Sequence, residues 1–287
     1  MSPDPFREGP SLTRVNGAWA CARDLVGDRL ILIHGFTASS VYLQAFARYF
    51  QGQLTEPLLY DYDSYLGIDV AATQLVDLLD NLRQPGDRSR FVVVAHSMGG
   101  LVARRFLRLV AEREDDAAVA NLVVGACYLG TPHSGTLVGQ PGVSPLADIS
   151  DLLTGMYPFL RSPLCRSAKQ LTQTDTEGFI KTLNAADRDL PLNVPTLTVS
   201  GGLPHLEFCN GRIRNGLFNQ FVQNILRTPN DGLVAESSAN LQNVLGRLDL
   251  PITHDAAYPA YETTNHTYLM RNQSIAARVA RWCRDRF

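Results

Sequence analysis

Short, unbroken apolar runs alternate along this chain with stretches in which apolar residues recur every three to four positions. The runs lie at 29–33, 57–60, 90–94, 122–129 and 196–199. They are continuous rather than alternating, as expected for strands buried on both faces in a parallel sheet. The stretches between them read as amphipathic helices. Leu75, Leu78, Leu79 and Leu82 share one helical face, with Asp77 and Asp80 off it. Val102, Phe106, Leu109 and Val110 form a second stripe, and Arg104, Arg105 and Arg108 opposite it predict a solvated face. A last helix is predicted over 274–287. Strand, helix, strand in repetition predicts a doubly wound, mostly parallel sheet. Ligands of such sheets bind beyond the carboxyl ends of the strands.

The rhythm fails after residue 135. Pro141, Pro145, Pro158 and Pro163 interrupt a stretch that also carries Leu146, Ile149, Leu152, Leu153, Met156 and Phe159. This predicts an inserted helical cap or lid over 136–190, with the α/β core formed by 1–135 and 191–287. Leu152 and Met156 are the cap side chains expected to meet a substrate, although packing as ordinary core accounts for the same apolar residues. A further helix is expected around 217–226.

Composition narrows the picture only slightly. The chain has 287 residues, 45% hydrophobic and 19% charged, enough apolar surface for a real core. A formal net charge of −2 gives no electrostatic reason to expect nucleic acid or an anionic membrane as partner. The five cysteines, Cys21, Cys127, Cys165, Cys209 and Cys283, form no CxxC pair, so no metal site is expected. Cys127 lies in an apolar run and reads as a small core residue; whether Cys165 and Cys209 pair is open. Residues 1–10 are polar and Pro-rich, with no apolar segment of a signal peptide. A cytoplasmic chain and a secreted one with its leader removed both fit. No apolar run reaches membrane-spanning length.

The informative segment is 91–100, where an apolar run meets a tight turn and a helix begins at once. Ala95-His96-Ser97-Met98-Gly99 has the form of a nucleophile elbow. The strained turn needs small residues two before and two after the serine, and Ala95 and Gly99 meet that need, with Ala95 in place of the usual glycine. Ser97 then stands at a helix N-terminus, where free N–H groups favour developing negative charge. His34-Gly35 ends the first apolar run and places the backbone N–H of Phe36 near the serine. Phe36 and Met98 N–H are the oxyanion candidates. His34 itself orders the turn or lines the pocket, and His133 likewise orders its loop or meets substrate.

In this chain order the acid and then the histidine follow the serine. His266 precedes the terminal helix, which suits the base. His254, next to Asp255 in a late loop, is its rival, and His205 reads as surface or structural. Asn230-Asp231-Gly232 places Asp231 as the acid, although Asp-Gly is also a plain turn signal. Asp249 and Asp255 are alternatives. Asp61 and Asp63 precede the nucleophile and read as loop or rim residues.

These segments resemble those of a known family. The 95–100 segment resembles the elbow of bacterial lipases, including small ones with alanine first. Gly130-Thr131-Pro132-His133-Ser134-Gly135 resembles the segment after the next strand in the larger bacterial true lipases, and 230–234 and 265–266 resemble their acid and histidine segments. Residues 170–184 resemble lipase-like hydrolases related to the GPI inositol-deacylases. The resemblance implies an α/β-hydrolase fold, a mobile lid, carboxylic ester hydrolysis without a cofactor, and Ser97, Asp231 and His266 as triad. One departure stands out. Calcium-binding true lipases carry an aspartate two residues after the histidine, where this chain has Tyr268, so no calcium is expected.

The expected substrates are short- to medium-chain acyl esters, extending to triglycerides or polyesters, with transient contact to a lipid interface as the further partner. A thioesterase, a phospholipase or an acyltransferase uses the same triad. An inactive α/β-hydrolase scaffold serving as a binding module is the alternative from another class.

Overall fold

A computed structural model describes residues 9–51, 54–83, 88–113, 121–136, 166–171, 178–204, 228–247, 249–255 and 264–287. Ser11–Arg14 (β1), Arg29–Ile33 (β2), Leu58–Asp61 (β3), Phe91–His96 (β4), Val123–Leu129 (β5), Thr196–Val199 (β6) and Ile252–Asp255 (β7) form one sheet in the order β1-β3-β2-β4-β5-β6-β7. Every neighbouring pair is parallel except β1, which runs antiparallel to β3. The five predicted runs are the inner strands β2 to β6. The two edge strands escape the pattern, and His254, expected in a loop, sits in β7.

Helices cover both faces. Ser40–Phe50 (α1) and Gln273–Arg284 (α8) lie on one side. Ile68–Leu82 (α2), Met98–Arg113 (α3), Phe179–Asp189 (α5) and Leu241–Leu245 (α7) lie on the other. Arg166–Leu171 (α4) and Glu236–Ala239 (α6) are short. The inner strands divide their side chains between two cores. In β2, Leu30 and Leu32 pack with Phe46, Phe50 and Val279, while Ile31 and Ile33 pack with Leu75, Phe106 and Leu183. The four apolar side chains of β2 are fully buried, each contributing about 1.5–3 kcal/mol. This two-sided burial is what writes a continuous apolar run.

The arginine face of α3 corrects the sequence expectation. Arg104 and Arg108 are buried, their side chains 2% and 5% exposed, and both pair with Asp187 of α5. Arg105 alone of the three pairs on its own helix, with Glu112. A solvated face is what periodicity on α3 predicts, because the element that covers it arrives about eighty residues later. The α4 helix also serves the core. Gly67 at the N-cap of α2 has no side chain to offer, and Gln170 accepts the Ile68 N–H at 2.7 Å in its place. Of the expected cap over 136–190, α4 and α5 thus rest on the sheet's helical layer. Leu152, Met156 and Cys165 lie outside the described residues, as do His205, Cys209 and the helix expected around 217–226.

Candidate active site

Strand β4 ends at His96 and α3 begins at Met98. Between them Ser97 has φ of +56°. A residue with a Cβ in this left-handed region is strained by about 1–3 kcal/mol and persists only where its surroundings over-determine it. Here the Ser97 N–H donates to Leu129 O at the end of β5, at 2.9 Å, and Ser97 O accepts the Gly100 N–H at 3.0 Å. The strand pairing therefore fixes the turn and directs the side chain beyond the carboxyl ends of the strands.

His266 lies 169 residues further on, yet its Nε2 is 2.9 Å from Ser97 Oγ. Its Nδ1 is 2.8 Å from Asp231 Oδ2. The other carboxylate oxygen, Oδ1, accepts the N–H groups of Leu233 and Val234 at 3.1 and 2.8 Å, and Asp231 O accepts the His266 N–H at 2.8 Å. A carboxylate that accepts from backbone donors takes a proton-bearing nitrogen as its third partner. Nδ1–H of His266 therefore donates to Asp231, and the Nε2 lone pair faces the Ser97 hydroxyl. Asp231 is 1% and His266 4% exposed, so little water competes for either bond.

Gly130, the first residue past β5, forms the floor under this pair. Its φ is +57°, and a Cβ there would stand 2.6 Å from Leu269 Cδ1 and 3.0 Å from both Asp231 Oδ2 and His266 Nδ1. The residue type follows from the close approach.

The turn at 34–36 lies against the elbow. A Cβ on Gly35 would be 2.8 Å from Ser97 Cβ. Phe36, half-buried against Tyr65, follows directly. Met98 is the first residue of α3, so its N–H is among those that have no acceptor within the helix. Its side chain is core.

Of the two roles open to His34 and His133, ordering a turn or meeting substrate, burial favours the first. The His34 ring is fully buried. Its Nδ1–H donates to Gly35 O at 2.9 Å, the ring stacks on Tyr62 at 4.2 Å, and Nε2 lies 3.4 Å from the Tyr62 N–H. It orders the turn and offers no surface to a ligand. His133 is also fully buried. Its Nδ1 accepts from Arg104 at 3.3 Å, and its carbonyl accepts from Asn184 at 2.9 Å. Burial, with Arg104 beside it, pushes its pKa well below the ordinary histidine value. The partners that turn both rings inward lie about thirty residues or more away in sequence, which residue type alone does not reveal.

The rival residues have other partners. His254 Nδ1 meets Thr198 Oγ1 at 2.7 Å, and Asp255 pairs with Arg278 of α8. Asp249 is held by Arg247, and Asp61 accepts the Ser40 N–H at the start of α1. Tyr268 is 43% exposed, with the Arg271 guanidinium 5.9 Å from its ring centre. Among the described residues no group of three or more histidine, cysteine or acidic side chains is placed to hold a metal ion, and no helix is long and apolar enough to cross a membrane. Gly130 and His96 touch the site without having drawn attention in the sequence; both stand in motifs that were singled out for a neighbouring residue.

No curated protein sequence matches the chain significantly. Among solved structures, the mature lipase BlEst2 of Bacillus licheniformis superposes with a TM-score of 0.56 at 16% identity, covering 89% of this chain and 91% of that one. A lipase-esterase related protein from Clostridium acetobutylicum gives 0.55 at 10% identity, covering 98% and 100%. The monoacylglycerol lipase of Paleococcus ferrophilus gives 0.54 at 11% identity, covering 96% and 98%. At these identities the likeness is one of fold. A sequence profile of the alpha/beta hydrolase family matches residues 30–277, most of the chain. With the sheet order and the elbow at Ser97 in place, that match identifies the chain as a member of the alpha/beta hydrolase family.

Proposed function

We propose that this protein is a serine carboxylic ester hydrolase, with Ser97 as nucleophile, His266 as general base and acid, and Asp231 as the group that orients His266. The observation that carries the reading is the unbroken series of hydrogen bonds from Ser97 Oγ through His266 to Asp231, at 2.9 and 2.8 Å. His266 Nε2 takes the Ser97 proton as Oγ attacks the ester carbonyl. Asp231 stabilises the imidazolium and keeps its own negative charge. The N–H groups of Phe36 and Met98 receive the oxyanion, a contribution of about 3 kcal/mol per donor. The tetrahedral species collapses, His266 protonates the departing alcohol, and the acyl group remains on Ser97. Water, deprotonated by His266, then frees the acid and restores the serine.

The substrates proposed are short- to medium-chain acyl esters, with triglycerides or polyesters as the longer limit. Leu152 and Met156, of the part of 136–190 outside α4 and α5, are proposed to meet the acyl chain and set the length accepted.

Hydrolysis of p-nitrophenyl esters of increasing acyl length, by the wild type and by Ser97→Ala, tests the proposal. Turnover by the wild type and its loss by about 10³-fold or more in Ser97→Ala is the expected result. Equal rates for the two chains, or silence of both across the series, would overturn it and favour a binding module on the same scaffold.

A further inference from the structure

We propose that His96 and Tyr42 form a clamp that sets the position of His266 through the backbone of its loop, His96 acting as a positioning residue rather than a catalytic one. The inference rests on the reading of His266 as the base. His96 is the last residue of β4 and the covalent neighbour of Ser97. Its Nε2 lies 3.0 Å from the carbonyl oxygen of His266. A carbonyl only accepts, so Nε2 carries the proton and Nδ1 is bare; Nδ1 is buried with no hydrogen-bond partner. The His96 ring also packs on the His266 ring, centres 4.8 Å apart and planes at 43°. Tyr42 of α1 also packs against the His96 ring, at 5.5 Å, and its hydroxyl donates to Thr267 O at 2.7 Å. Two consecutive carbonyls of the loop are thus held by side chains from the rigid core.

The consequence is geometric. The Asn265 side chain bonds within the loop, to Tyr268 N–H and Thr267 Oγ1, and gives the loop shape but no location. The loop's ends are held by the Leu203 N–H on Thr264 O and by the burial of Leu269 and Met270; at His266 and Thr267 themselves, location comes from Asp231, through the His266 N–H, and from His96 and Tyr42. Because His96 and Ser97 are adjacent, one strand end places both nucleophile and base. A shift of the elbow carries the base with it.

The clamp must also stay uncharged, since a second cation beside a forming imidazolium would oppose it. Burial, then the neighbouring His266, pushes the His96 pKa down to about 3. His34 faces it from the end of β2 and lowers it further; Tyr42, on α1, is itself pushed up to about 12 by burial. The His266 carbonyl that meets Nε2–H acts in the opposite sense, and burial outweighs it.

The test compares wild type, His96→Phe, His96→Gln and Tyr42→Phe in kcat and KM on p-nitrophenyl butyrate, in the rate of fluorophosphonate labelling at Ser97, and in Tm. Phenylalanine keeps the ring and loses the N–H; glutamine brings an amide N–H to roughly the place of Nε2. His96→Phe is expected to lower kcat and the labelling rate by about 10- to 100-fold with KM within about twofold, the scale of a misplacement near 1 Å. His96→Gln should recover most of that loss. Tyr42→Phe should lose about threefold to tenfold, as a weaker displacement of the same kind. The acid limb of kcat/KM should keep its midpoint in all three. Wild-type kcat and labelling in His96→Phe, or an equal loss in a well-folded His96→Gln, would overturn the clamp. If His96→Phe does not fold, wild-type rates in Tyr42→Phe overturn it instead. A wild type that takes no fluorophosphonate at Ser97 removes the hydrolase reading itself, so the two failures are told apart.

Discussion

Asp187 neutralises two arginines that sit inside the protein, and its removal should be costly. Its carboxylate meets Arg104 Nε and Nη2 at 2.9 and 2.6 Å and Arg108 Nε at 2.5 Å. Arg104 also donates to Asn184, and Arg108 to Leu190 O. Those neutral acceptors satisfy N–H groups without cancelling charge. Asp187→Ala would therefore leave two guanidiniums, 2% and 5% exposed, without their counter-charge. Stranding one partner of a buried pair costs about 3–5 kcal/mol, against about 0.2–1 kcal/mol for an exposed pair. The Arg105–Glu112 pair on the same helix is the comparison, with side chains 27% and 54% exposed. Urea denaturation followed by circular dichroism should show Asp187→Ala destabilised by about 3–5 kcal/mol and Glu112→Ala by no more than about 1 kcal/mol. At about 2–4 °C per kcal/mol for a chain of this size, the Tm of Asp187→Ala should fall by roughly 6–20 °C. Asp187→Asn, which keeps the shape and an acceptor oxygen, should fall between. Equal effects of Asp187→Ala and Glu112→Ala would refute the docking of α5 on α3 through a buried charge cluster.

Two further outcomes bear on the site and on acid stability. Gly130→Ala puts a Cβ at φ of +57° and 3.0 Å from both Asp231 Oδ2 and His266 Nδ1, so kcat should fall on the order of 100-fold with KM little changed; a wild-type kcat on p-nitrophenyl butyrate would show that the Asp231–His266 contact tolerates the intrusion. Burial holds the folded-state pKa of His96 at about 3 and that of His133 well below its ordinary value. Below about pH 6.5 the unfolded chain therefore binds protons that the folded chain refuses, and stability falls as pH falls, by about 1.4 kcal/mol per pH unit for each such histidine. Urea midpoints should drop steadily from about pH 7 to about pH 5, less so in His133→Gln, and a flat midpoint over that range would contradict the buried neutral histidines.

How much of this was legible in the sequence depends on whether the physical cause was local. The bounds of β2 and β6 coincide with their apolar runs because burial on both faces is written into consecutive residues. Strands β1 and β7 left no such mark. At the sheet's edges only part of each is covered, as the half-buried ends of Ser11–Arg14 and the exposed Thr253 show. Ser97, Asp231 and His266 were each singled out by a local signature: a strand-to-helix turn, an Asp-Gly turn and a position before the last helix. His34 and His133 had the right residue type and the right place after a strand, but the direction of a side chain is set by its tertiary partners, here Tyr62 and Arg104.

The residues that hold the site lay in plain view within the quoted motifs, and what hid their roles was the missing sheet order. Once β4, β5 and β6 are neighbours, the residues that leave their carboxyl ends must meet. His96 and Ser97 leave β4, and Gly130 leaves β5. The turn after β6 holds the His266 loop, through the Leu203 N–H on Thr264 O at 3.2 Å. Each is about 60 to 170 residues from its partner in sequence and in contact with it in space. The chemistry proposed for this scaffold is therefore written locally, in Ser97, Asp231 and His266, while the precision proposed for it is written in the topology, in residues such as His96 and Gly130 whose contacts exist only after the strands are ordered.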